Sequence, residues 1–258
     1  MPVEIMGVQR WLKELKNRLI VVAGGGYFGT KAVKFVKGMG GRVVVVDSRI
    51  DCEARKSVDE IVEGGDPHQA LKVGAGSATL FVFDAVEFLS RLLKATVPDY
   101  IAPAVPGHLA GKVVKSWLEQ EGLVVECRSE AIVDIAGGIP EGLIVKEDEG
   151  IGVIITSYMQ EGGQCKVPCD QPLDRCQTTG RPKKGPMYCI LTNATRNKVT
   201  LSKVLISHNL RGEVGLFEGS ELMSFLSDVK RLKTPYSLAI GTACGCHGIL
   251  NLFLVRLG

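Results

Sequence analysis

The segment Arg18–Asp47 constrains this chain more than any other. Arg18–Ala23 (RLIVVA) is a short apolar run that ends at three glycines. Such a run predicts a strand buried on both faces, as in a parallel sheet. Tyr27–Lys37 then shows helical periodicity, with Phe28, Ala32, Val33 and Val36 on one side, and glycines at 38, 40 and 41 close it. Arg42–Asp47 (RVVVVD) reads as a second buried strand. Strand, glycine turn, helix and strand make one βαβ unit.

The same rhythm continues. Ala78–Asp84 reads as a strand and Ala85–Lys94 as a helix. Tyr100–Val105 is the next strand, Pro106–Glu119 the next helix and Leu123–Cys127 a further strand, with a short strand at Asp59–Val62. Alternation of this kind predicts an α/β fold with a doubly wound, mostly parallel, Rossmann-like sheet over residues 1–138. A helix around Val8–Leu15 precedes it. Beyond residue 138 the pattern changes. Gly142–Lys146 and Ile151–Tyr158 flank a hairpin turn, and residues 162–186 form an irregular loop rich in Gly, Pro and Cys. Met187–Thr192, Ser202–Ser207, Ser237–Thr242 and Ile249–Val255 read as strands, and Ser220–Leu232 as a helix. Residues 139–258 are therefore expected to form a second, smaller, cysteine-containing α+β domain.

Gly24-Gly25-Gly26-Tyr27-Phe28-Gly29 satisfies G-x-G-x-x-G in the context that gives the pattern meaning: after a strand and at the start of a helix. The first glycine permits the tight turn, the second lets a pyrophosphate approach the backbone, and the third lets helix and strand pack closely. Phosphates would sit at the helix N-terminus, where unpaired N–H groups and the helix dipole favour anions. Asp47 ends the second strand, 18 residues after Gly29, where a carboxylate can accept from ribose hydroxyls. Asp47 favours NAD; Arg49, beyond Ser48, could pair with the 2′-phosphate of NADP. A methyl-donor cofactor would use a similar turn.

The residues AGGGYFGTKAVKFVKGMGGRVVVVD resemble the nucleotide-binding domain of potassium-uptake regulators (TrkA-N-like). They are also similar to the N-terminal domain of precorrin-2 dehydrogenases of the siroheme-synthase type. The resemblance implies NAD(H) or NADP(H) binding through Gly24, Gly26, Gly29 and Asp47. It carries over no catalytic residue.

Two further positions fall beyond the carboxyl ends of predicted strands, where ligands of such sheets bind. Asp84 suits catalysis or an ordinary helix N-cap. His108, near a helix N-terminus, suits a donor or general base, or simply a capping-region histidine.

Eight cysteines are present, six of them after residue 160. No run is long enough for a membrane-spanning helix, and charged residues interrupt the apolar core that a signal peptide would need. A cytoplasmic protein is expected, in which thiols stay reduced and clustered cysteines point to ligation rather than disulfides. The candidate ligands are Cys165-x3-Cys169-x6-Cys176 together with Cys244, Cys246 and His247, for an iron–sulfur cluster or zinc. Cys52, Cys127 and Cys189 read as packing residues, and Arg181–Lys184 as a solvated basic loop. Net charge is only +3 and aromatics 6%, which gives nucleic-acid binding no support. The expected function is an oxidoreductase acting on a small molecule or with a redox partner, as a possible homodimer. The rival reading is a nucleotide-sensing regulatory module without turnover.

Overall fold

The computed structural model describes residues 15–159, 163, 165, 169, 171–210 and 214–258. The helix expected at Val8–Leu15 lies almost wholly outside them. The chain is mixed α/β and divides into two compact units. One runs through Pro106 and includes Glu218–Ser220; the other comprises Gly107–Phe217 and Glu221–Gly258.

In the first unit, β1 (Leu19–Ala23), β2 (Arg42–Asp47), β3 (Glu60–Glu63), β4 (Ala78–Val82) and β5 (Tyr100–Pro103) pair in parallel. Their order is β5-β1-β2-β4-β3. Ile20 stands opposite Val43 on one side and Tyr100 on the other. All of β1 and the four valines of β2 are buried, which is why these strands carry continuous apolar runs rather than alternation. Helix α1 (Tyr27–Gly38) follows β1 and buries Gly29, Ala32, Val33 and Val36. Helix α2 (Pro67–Ala70) is a single turn. Helix α3 (Ala85–Ala95) follows β4 and buries Phe88, Leu89, Leu92 and Leu93.

The second unit begins with α4 (Leu109–Gln120), β6 (Leu123–Cys127) and α5 (Glu130–Ala136). An antiparallel pair follows, β7 (Ile144–Asp148) and β8 (Val153–Ser157), joined by the expected turn. Helix α6 (Met187–Thr195), β9 (Leu201–Ile206), the β10 (His208–Leu210) and β11 (Val214–Glu218) pair, and α7 (Gly219–Val229) lead to a long hairpin. This hairpin is β12 (Tyr236–Ala243) and β13 (His247–Leu257). The mixed sheet is ordered β7-β8-β13-β12-β9, and β6 also pairs with β13. Ile132, Ile135, Ile154, Met187, Leu191, Leu250 and Leu252 are among the residues of its core.

Three sequence expectations change. The division falls at Pro106/Gly107 instead of near residue 138. The cause is β6: it continues the β–α rhythm locally, yet it pairs antiparallel with β13, Val125 opposite Val255, rather than joining the first sheet. Met187–Thr192, expected as a strand, is helical. Met187, Ile190, Leu191 and Ala194 recur at helical spacing and are buried, while the Thr192 hydroxyl donates back to Tyr188 O. Cys189, expected to be buried, consequently falls on the exposed side of α6. Helix α5 was not anticipated.

Candidate functional site

The glycine turn lies between β1 and α1. Gly24 is buried at φ +102°, and a Cβ there would come within 2.5 Å of Ala104 O. Gly29 begins the packing of α1 on the turn: its Cβ would lie 1.9 Å from Gly24 O. At Gly25 a Cβ would collide with Cys52 Sγ at 2.4 Å. Gly26 differs from the other three, because its missing Cβ faces open space, with nothing within 4 Å. Gly26 is also the N-cap of α1. No side chain caps that helix, and its first turn holds no acidic residue. Tyr27 and Phe28 are exposed beside it, and Lys31 Nζ lies 4.5 Å from the Tyr27 ring centre.

Asp47 is built into the turn. Its Oδ2 accepts the Gly25 N–H at 2.7 Å and its Oδ1 accepts the Arg49 N–H at 2.9 Å. The carboxylate that sequence assigned to ribose hydroxyls therefore also holds the loop; a carboxylate oxygen has a second lone pair for another donor. Ser48 and Arg49 are exposed at the end of β2. Buried Cys52 packs under Gly25, and burial, with the Asp47 charge, pushes its thiol up from the ordinary range.

Asp84 and His108 occupy different settings. Asp84 caps α3, its Oδ1 accepting the N–H groups of Val86 and Glu87, both at 2.9 Å. His108 precedes α4 and is buried, with Nδ1 2.7 Å from Asn251 Oδ1 on β13. Its Nε2 is buried without a hydrogen-bond partner among the described residues. Burial, aided by the Lys112 charge, holds this imidazole down to about 4, so it is neutral.

Within the second unit, the turn of the β12–β13 hairpin carries Cys244 and Cys246, and His247 opens β13. Cys165, Cys169, Cys244, Cys246 and His247 line one cavity of about 200 Å³. Five of the six expected ligands thus meet. The His247 ring bridges two sulfurs, with Nε2 3.4 Å from Cys165 Sγ and Nδ1 3.7 Å from Cys244 Sγ. The amides of Cys246 and His247 donate to Cys244 Sγ at 3.4 and 3.3 Å. Burial pushes the Cys244 thiol up, but the His247 ring and these amides outweigh it, leaving it below its usual range. Burial raises the Cys165 thiol, and the nearby cysteines add to the effect. No three His, Cys, Asp or Glu side chains among the described residues already close around a single ion position.

The sixth, Cys176, does not line that cavity. It is buried in the core with its sulfur 4.0 Å from Met159 Sδ. Lys183, which the sequence placed in a solvated basic loop, donates to Cys246 Sγ at 3.0 Å and to Pro172 O. No motif marks it; only the fold of residues 174–183, where Cys176 N–H reaches Arg181 O and Lys183 N–H reaches Asp174 O, brings it there. A larger cavity of about 580 Å³ shares Cys165, Ser207, Cys244 and His247 with the first, and apolar residues such as Val145, Ile155 and Ile249 form much of its remaining wall.

Residues 110–256 match the AF_1314_C family, described as "Uncharacterized protein, C-terminal domain". The chain belongs to this family. Residues 19–109 match its N-terminal counterpart, AF_1314_N, "Uncharacterized protein, N-terminal domain". The two family segments meet within a few residues of the division between the compact units. A relative from Archaeoglobus fulgidus, an "Uncharacterized protein", is 28% identical over 237 residues, 90% of this chain and 97% of the relative. No solved structure matches the chain. Among the described residues no helix is long and apolar enough to cross a membrane.

Proposed function

We propose that this chain is an NAD(P)-binding oxidoreductase. Its first unit acts as a Rossmann-like dinucleotide domain, and the thiol-lined cavity of the second unit is a redox centre. The observation that carries the nucleotide reading is the contrast among the glycines. Gly24, Gly25 and Gly29 are glycine because protein atoms leave no room for a Cβ, whereas Gly26 faces open space at an uncapped helix N-terminus. Packing does not account for a glycine there. Close approach of an anionic pyrophosphate does.

In this reading the α1 N-terminus holds the phosphates and Asp47 faces the adenosine ribose while keeping its bond to Gly25. The nucleotide supplies hydride chemistry when bound. Free thiols at all eight cysteines suit a reducing, cytoplasmic setting.

The decisive variant is Gly26→Ala. With nothing within 4 Å of the new methyl group, it is expected to fold as the parent does. It is expected to lose at least about tenfold in NAD(P)H affinity, about 1.4 kcal/mol. Calorimetric titration with NAD+, NADH, NADP+ and NADPH measures this, with circular dichroism as the control for folding. A parent protein that binds none of the four, or an unchanged affinity in the variant, overturns the nucleotide reading. Tighter binding of S-adenosylmethionine than of any of them would redirect it to a methyl-donor site.

A further inference from the structure

The thiol-lined cavity supports a sharper assignment than a generic redox centre. Four of the eight cysteines in the chain line it, brought from two regions about seventy-five residues apart: Cys165 and Cys169 on one side, and Cys244 and Cys246 of the hairpin turn on the other. Such a gathering is not a packing motif. Buried cysteines that merely pack sit against apolar neighbours. Here the sulfurs face a shared space with polar donors arranged around them. Cys244 Sγ receives two backbone N–H groups and Cys246 Sγ receives the Lys183 ammonium. Donors aimed at sulfur are what a thiolate centre requires to stabilise its negative charge.

The spacing of the sulfurs favours a cluster over a single ion. Zinc draws four thiolates to about 2.3 Å. Cys165 and Cys244 instead meet opposite nitrogens of the His247 ring, at 3.4 and 3.7 Å, so that the ring stands between their sulfurs. A polynuclear core with its own bridging sulfides meets sulfurs so separated at its corners, with cysteine as the usual ligand at each.

We infer that Cys165, Cys169, Cys244 and Cys246 hold an iron–sulfur cluster in the second unit. The inference rests on reading that cavity as a redox centre and is independent of the nucleotide reading of the first unit. Four thiolates complete the ligand set, so His247, placed between Cys165 and Cys244, serves as a hydrogen-bonding neighbour of their sulfurs. Lys183 is a positioning residue: its N–H···S bond places a positive charge beside Cys246 and raises the reduction potential of the cluster.

The test is iron and acid-labile sulfide analysis of the full chain purified without oxygen, or reconstituted with ferrous iron and sulfide, together with its visible and electron paramagnetic resonance spectra. Stoichiometric iron and sulfide are expected, with an absorption band that dithionite bleaches. Cys165→Ser, Cys169→Ser, Cys244→Ser and Cys246→Ser each lose cluster, whereas Cys189→Ser, on the exposed face of α6, retains it. Lys183→Gln keeps the cluster at a lower potential, a change that a purely structural lysine would not produce. Stoichiometric zinc that excludes iron and sulfide, no metal at all, or iron retained in all four serine variants overturns the assignment. None of these outcomes depends on whether NAD(P) binds.

Discussion

At residue 108 a histidine sits where three positions settle one another's identity. Asn251 supplies the acceptor for Nδ1, and Gly111 supplies the room: a Cβ there would lie 2.1 Å from Asn251 Oδ1 and 3.0 Å from His108 Nδ1. Gly111→Ala is therefore expected to push the pair apart and destabilise the chain by about 1–3 kcal/mol, measurable by urea unfolding. The same pair gives a pH dependence with a definite sign. His108 is held down to about 4 in the folded chain against an ordinary 6.5, so the unfolded chain takes up its proton first. The contribution is complete above about pH 6.5 and is lost as pH falls toward 4, about 3 kcal/mol in all. Stability measured across that window should fall in the parent and flatten in His108→Gln. A parallel fall in both proteins would assign the acid sensitivity to other groups. None of this was legible in sequence, because Asn251 is 143 residues away and nothing local marks it as a partner.

At the scale of elements, what the sequence made legible was what neighbouring residues decide. The β1–turn–α1–β2 segment lies where its apolar runs and glycines indicate, since each strand is buried on both faces and Gly29 answers a contact with Gly24 inside the same turn. Asp84 caps α3, one of the two roles its position allowed. Met187–Thr192 misled because a short apolar run does not distinguish a strand from a buried helix; the helical recurrence shows only when the run is extended to Ala194. The Gly29→Ala substitution tests the element as a unit. Its methyl group would meet Gly24 O at 1.9 Å, backbone against helix, with no flexible side chain to give way. Helix α1 must lift off the turn, so a stability loss of about 1–3 kcal/mol is expected along with loss of nucleotide binding. Gly26→Ala should lose binding alone. If Gly29→Ala melts at the temperature of the parent, the packing role assigned to this glycine is wrong.

For the whole molecule, the thiol-lined cavity shows why sequence pointed to cysteines but not to which of them share a space. Clustering after residue 160 pointed to ligation. Only the β12–β13 hairpin, closing with Ala243 opposite Gly248, carries Cys244 and Cys246 to Cys165 and Cys169, and only the fold of residues 174–183 brings Lys183 onto sulfur. The division at Pro106 was hidden for the same reason: the pairing partner of β6 is β13, at the far end of the chain. Long-range closure of this kind has a thermodynamic consequence. A cluster held by Cys165, Cys169, Cys244 and Cys246 would bind the folded second unit and not the unfolded chain, so its binding free energy would add to the stability of that unit. In a domain of this size each kcal/mol raises the melting temperature by about 2–4 °C. Cluster-loaded protein should therefore melt several degrees above protein stripped with a chelator under reductant, as read by calorimetry without oxygen. Cys246→Ser should melt with the stripped form and gain nothing from iron and sulfide. Equal melting of the loaded and stripped forms would mean that the cysteines hold no group that ties the loop to the hairpin, whatever metal the preparation contains.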